Sequence, residues 1–248
     1  MKESIKVLQE LQAPHGFLDA VLRRVGLMDG YSRVASAIGP VYAAAGARGI
    51  SAVMEAPSDA AFERMYHERF GRRVERRDEL APVLARAVED GRSAQVDLSA
   101  CNAFARDVLE ATRRIPPGSV RPYGWIAREI GRPRAVRAVG TALARNPVPL
   151  VVPCHRVVRG DGKTGEYALG AGDKVVLLEH EGVDVTEVRR RLSSHRIWSV
   201  EGEASYCYPF CFAARPLPDQ RIVEFASVRE AVERGLRPCT TCHPPLAA

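Results

Sequence analysis

Four cysteines near the C-terminus constrain this 248-residue chain more than any other feature. Cys207 and Cys211 are spaced C-x3-C, Cys239 and Cys242 C-x2-C, and 27 residues separate the pairs. Each pair can chelate from a single loop or turn, and four thiolates at tetrahedral distance suit zinc. The start MKESIKVLQELQ has no apolar core before a small-residue cleavage site, so it does not read as a secretory signal. A cytoplasmic location is expected, and there two close cysteine pairs mean a metal site rather than disulfides. The expectation is a small four-cysteine zinc module over 200–248. His243 is a weaker alternative ligand, and Cys101 reads as a small residue without a role.

No stretch supplies the ~20 apolar residues of a membrane span. The nearest, from Val34 to Met54, is broken by Gly39, Pro40, Gly46, Arg48 and Gly49. Charge is unevenly placed. Residues 1–100 are neutral, 101–200 carry a net +7, and 201–248 a net −1. Within 113–159, ten arginines face one acid, Glu129. Such concentration suits a polyanionic partner, or else makes a solvated arginine-rich face.

The chain divides by its periodicities. Residues 1–32 read as a helical extension, with Ile5, Leu8 and Leu11, then Leu18, Val21, Leu22 and Val25, at helical spacing. Residues 33–98 read as a small α+β unit. It holds a hairpin around Ala47-Arg48-Gly49, a helix over 58–72 capped by Ser58, and another over 79–89. Residues 99–183 become helical. Asn102 caps a helix stopped by Pro116, Pro117 and Gly118. Short helices over 122–130 and 134–144, joined by Gly131-Arg132-Pro133, make a helix-turn-helix. PVPLVVPCHRVV reads as a buried irregular strand, 173–182 as a closing helix, and 184–199 as a charged linker.

Cys154 lies in Pro153-Cys154-His155-Arg156-Val157. Taken alone this pair is weak evidence, because a buried cysteine is commonly inert. Its surroundings change that. RPYGWIAREIGRPRAVRAVGTALARNPVPLVVPCHRVV, followed by Tyr167 and by Leu177-Leu178-Glu179-His180-Glu181-Gly182, resembles the O6-alkylguanine-DNA alkyltransferases, the methylated-DNA–protein-cysteine methyltransferases. The resemblance covers roughly 33–183. It implies an α+β protein with a ribonuclease H-like N-terminal α/β subdomain and a winged helix-turn-helix-like domain carrying DNA binding and active site.

The resemblance also implies residue roles. Cys154 accepts the alkyl group in a single turnover, His155 takes the thiol proton through a water, and Glu181 orients His155. Tyr167 assists the leaving guanine, and Asn146 ties the recognition helix to the active-site segment. Arg137 enters the base stack, Tyr123 turns the nucleotide out, and Ala135 and Ala138, with Gly140 and Ala142, allow close approach to the minor groove. Arg134 and Arg145, with Arg128 and Arg132, are candidate phosphate contacts. The implied substrate is duplex DNA bearing O6-alkylguanine, with O4-alkylthymine as a further one, and the implied state is a monomer without organic cofactor. Leu169 stands where the family often has glycine, which predicts a narrower alkyl pocket.

Residues 200–245 resemble the metal-binding domain of Ada, in which one zinc-bound cysteine accepts methyl from phosphotriesters. Cys207 holds that position. The domain order here is reversed, and Tyr208-Pro209-Phe210 replaces the usual loop, so a purely structural zinc stands beside methyl acceptance. The rival readings are a non-catalytic damage sensor, a cysteine hydrolase using Cys154, His155 and Glu181, and a DNA-binding regulator.

Overall fold

The computed structural model describes residues 16–90, 94–160, 163–165, 167–193, 197–208, 211 and 221–244. Ile5, Leu8 and Leu11 lie outside them. Helix α1, Phe17–Arg24, leads into strand β1, Met28–Val34. The first sheet therefore begins inside the segment expected to be a helical extension. Strands β2, Val41–Gly46, and β3, Gly49–Met54, form the expected hairpin. Helix α2, Asp59–Phe70, and strand β4, Arg73–Arg76, follow. The sheet order is β3-β2-β1-β4, with β4 parallel to β1 and the other pairs antiparallel. Gly49 closes the hairpin at φ 106°, and a Cβ there would lie 2.3 Å from the Gln95 carbonyl oxygen. Only glycine permits that approach.

Side chains alternate across the strands, so the sheet buries both faces. One face stacks Tyr31, Tyr42, Ala44, Ala52 and Met54 against Phe62 and Tyr66 of α2. The other places Val41, Ala43, Ile50 and Val53 against Leu84 and Val88 of α3, Ala81–Asp90. That second core continues without a break through Val108, Leu109, Ile126, Val139 and Val151 to Cys154. The two units thus share one interior.

Helix α4 spans Ala103–Arg113. Strand β5, Arg121–Pro122, precedes α5, Tyr123–Glu129. Helix α6, Val136–Ala144, follows a turn at Gly131. The segment expected as an irregular strand instead makes a turn, a 3-10 helix at Cys154–Arg156 and a two-residue strand β6, Val157–Val158, parallel to β5. Its prolines remove the amide donors a longer ladder needs. Helix α7 spans Ala171–His180. The expected linker carries helix α8, Val185–Ser193, whose Val188 and Leu192 pack with Val120, Val158, Leu178 and Val183. Its arginines dominate the middle of the segment, yet Val185, Val188 and Leu192, at helical spacing, dock it. Beyond it lie β7, Ile197–Val200, β8, Ser205–Tyr206, β9, Ile222–Phe225, α9, Val228–Glu233, and β10, Arg237–Pro238. No helix among the described residues is long and apolar enough to cross a membrane.

Candidate functional site

The turn from α6 to Cys154 is built around Asn146. Its side-chain oxygen accepts from the Val148 amide at 3.0 Å, and its Nδ2 donates to the Val152 carbonyl at 3.0 Å and to Cys154 Sγ at 3.1 Å. The loop passes through Leu150 at φ 74°, a left-handed backbone that a branched side chain rarely adopts. Cys154 is 4% exposed. Burial pushes its thiol pKa up, against the opposing influence of Asn146 and of Lys174. The resting sulfur is therefore a neutral thiol that needs a base.

His155 follows Cys154 on the 3-10 turn, and its Nε2 lies 2.8 Å from Glu181 Oε1 at the end of α7. Its Nδ1 is buried without a hydrogen-bond partner among the described residues. Burial lowers the His155 pKa, and Glu181 opposes that shift. Glu181 also accepts from Arg156, at 2.8 Å from Nη2, and from the Gly118 amide at 3.1 Å. Burial would raise its carboxyl, but the His155 and Arg156 bonds prevail and hold it at about 2. The carboxylate is thus ionised and fixes a neutral imidazole whose free nitrogen can take a proton. The Tyr167 ring meets the His155 ring edge-on at 6.1 Å between centroids. Burial keeps its hydroxyl protonated.

Cys154 opens into a cavity of about 1180 Å³ lined by Tyr123, Arg137, Gly140, Arg145 and Tyr167, among others. Cys154, His155, Glu181, Asn146 and Tyr167 are brought together. Tyr123, Arg137 and Arg145 line the adjoining cavity. Arg134, Arg137, Ala138 and Arg145 are exposed along α6 and its flanks, and Ala135 is half-buried. Ala142 faces the core, so it offers no groove surface. Arg128 hydrogen-bonds the Tyr208 hydroxyl rather than standing free for phosphate. Arg132 lies over the Phe104 ring at 5.8 Å. Leu169 packs on the hydrophobic core, and its neighbour Ala168 lines the cavity.

Two residues escaped sequence reasoning. Lys174 is fully buried, with Nζ 2.6 Å from the Val157 carbonyl and 5.7 Å from the Tyr123 ring centroid. Burial lowers it to about 8. A lone lysine in an apolar helix was its only signal. Arg69 of α2 donates to the Arg145 carbonyl at 2.7 Å and the Asn146 carbonyl at 3.1 Å, capping α6 from the other unit. That contact spans 76 residues and leaves no local pattern.

The second site is the cysteine quartet. Strands β8 and β10 run side by side in parallel, so Cys207 and Cys239, which follow them, emerge together. Cys211 and Cys242 return through turns closed by Cys211 N–H to Tyr208 O at 3.2 Å and His243 N–H to Cys239 O at 3.0 Å. All four sulfurs are buried and lie within 4.8 Å of one another. Cys211 accepts from Arg121 Nη2 at 3.9 Å, Cys239 from the Thr241 amide and Cys242 from the Tyr208 amide, each at 3.4 Å. Converging thiols surrounded by donors fit a tetrahedral metal.

Fold and sites together define a class: a mixed helix and sheet protein with a buried thiol, a carboxylate-held histidine and an arginine-bearing helix pair around one cleft, and a four-cysteine cluster beside it. The family described as 6-O-methylguanine DNA methyltransferase, DNA binding domain, matches residues 103–183, and the metal binding domain of Ada matches 186–245. A methylated-DNA–protein-cysteine methyltransferase of Methanosarcina barkeri is 33% identical over 162 residues, covering 61% of this chain and 96% of that protein. One from Salmonella typhimurium is 51% identical over 79 residues, covering 32% and 46%. The O6-methylguanine-DNA methyltransferase structure of Pyrococcus kodakaraensis aligns with a TM-score of 0.51 at 27% identity, covering 63% of this chain and all of that one. The chain belongs to the methylated-DNA–protein-cysteine methyltransferase family. It spans about half the length of the first curated relatives it matches.

Proposed function

We propose that this protein repairs duplex DNA by moving the alkyl group of O6-alkylguanine to Cys154, once per molecule. The observation that carries the reading is the Asn146–Cys154 and His155–Glu181 arrangement opening on the arginine-bearing cleft. The Cys154 proton passes to His155, by way of a water at Nδ1. The sulfur attacks the alkyl carbon, a C–S bond forms and the carbon–O6 bond breaks. The released pair stays on guanine, which takes up the proton at its ring nitrogen. Tyr167 stays a donor throughout and can hydrogen-bond the leaving base. The product thioether has no leaving path, so turnover is single.

The target atom lies within the stack, so the nucleotide must be extruded. Arg137 fills the gap and Tyr123 rotates the backbone. Arg134, Ala135, Ala138 and Arg145 lie along the duplex, where phosphate contacts carry no sequence information. The α5–α6 pair supports the helix-turn-helix-like reading, and the β3-β2-β1-β4 order supports the ribonuclease H-like one. O4-alkylthymine is a second substrate of the same thiol.

Zinc is the metal of Cys207, Cys211, Cys239 and Cys242, and it would keep these sulfurs ionised at neutral pH. The zinc module adds DNA contact beside the cleft. The reversed domain order and the Tyr208-Pro209-Phe210 sequence in place of the usual loop favour a structural site over methyl acceptance from phosphotriesters. The test is peptide mass mapping after incubation with nitrosourea-methylated duplex. Methyl on Cys154 alone supports both readings. Methyl on Cys207 as well makes the module a second acceptor, and an unmodified Cys154 returns the protein to a damage sensor or DNA-binding regulator.

A further inference from the structure

Arg121 is the largest fully buried side chain, at 1% exposure. It sits on β5, two residues before Tyr123. Its guanidinium donates to the neighbouring Val120 carbonyl at 2.8 Å, lies 5.7 Å from the Trp125 ring centroid and reaches Cys211 Sγ at 3.9 Å. No carboxylate pairs with it among the described residues. A permanently charged group removed from water needs a counter-charge. A carbonyl and an aromatic face supply only partial ones. Four thiolates around one divalent zinc carry a net −2, and Cys211 is one of the four.

We propose that Arg121 is the buried counter-ion of the zinc-loaded cysteine cluster, and that metal loading thereby fastens the module to the wall of the cleft that holds Cys154. Arg121 is a positioning residue in this role. Two further contacts lie along the same seam. Arg128 hydrogen-bonds the Tyr208 hydroxyl with its guanidinium 5.9 Å from that ring centroid, and Glu129 pairs with His243 Nδ1. Tyr208 and Val228 of the module line the cavity that also holds Tyr123, Arg137 and Cys154. The module is thus a wall of the transfer site.

The inference rests on the zinc reading but not on the repair reading. It is tested on the full-length, zinc-loaded protein with R121M and R121K. In competition with a colorimetric chelator, R121M should lose zinc about ten- to hundredfold more readily than the parent. R121K, which keeps a point charge without the planar fork, should fall between them. Hydrogen exchange of the parent should show residues 121–129 losing protection on zinc removal, while the sheet over 28–54 keeps its own. Protection of that sheet in R121M separates lost coupling from failed folding. Parent-like zinc retention in a folded R121M, or unchanged protection at 121–129 without metal, overturns the proposal. A full chain that holds no zinc overturns this proposal and the zinc reading together. Failure of Cys154 to accept methyl, with the zinc and exchange results as expected, sinks only the repair reading.

Discussion

At the scale of single residues, the surroundings of Cys154 include a charge arrangement that one carboxylate holds together. Glu181 serves His155, Arg156 and the Gly118 amide at once. Replacing it with glutamine leaves the buried Arg156 charge unpaired, and stability should fall by about 3–5 kcal/mol in denaturant titration. Folded Glu181 titrates at about 2 instead of 4.5. Its stabilising contribution is therefore complete above pH 4.5 and is lost as pH falls through about 2. For His155 the shift has the same sign: a depressed pKa means the imidazole is still neutral at 6.5. The acid inflection of single-turnover transfer should therefore lie below the ordinary imidazole value of 6.5. His155→Gln should slow transfer about 10²- to 10⁴-fold, measured by methyl incorporation into Cys154.

At the scale of elements, local signals worked where the physics is local. Ser58 and Asn102 cap their helices as expected, accepting from the Ala61 amide at 3.2 Å and the Ala105 amide at 2.8 Å. Asn102→Ala should lower stability by about 1 kcal/mol in thermal unfolding and leave the transfer rate unchanged. The proposed groups Cys154, His155, Asn146 and Glu181 could be named from a distinctive string of residues, and the structure places Asn146 against Cys154 and His155 against Glu181. The elements between them were less so. PVPLVVPCHRVV has the apolar density of a strand, but its prolines and the Leu150 turn are satisfied by one asparagine side chain. The α8 helix was hidden because the run Arg189-Arg190-Arg191 masks the spacing of Val185, Val188 and Leu192, which dock it. Lys174, Arg69 and Arg121 act only through contacts made by tertiary structure, which no spacing rule records.

At the scale of the whole molecule, the domains are less separate than the composition shifts along the chain imply. The core beneath the sheet runs on into the helices around Cys154. Residues 28–183 should therefore unfold in one transition, with near-coincident midpoints by fluorescence and far-UV circular dichroism. Separate midpoints for the sheet and for the Cys154 region would contradict a shared interior.

The reach of Arg69 has a practical consequence for anyone recombining these parts. The Arg145 and Asn146 carbonyls, just past the end of the helix that would lie along DNA, are held by a guanidinium from the N-terminal unit. A chimera that imports its N-terminal half from a relative without a matching arginine would keep every residue around Cys154 and still leave Asn146 less firmly held. Compatibility between halves is then decided by a single donor, far from both the splice point and the chemistry.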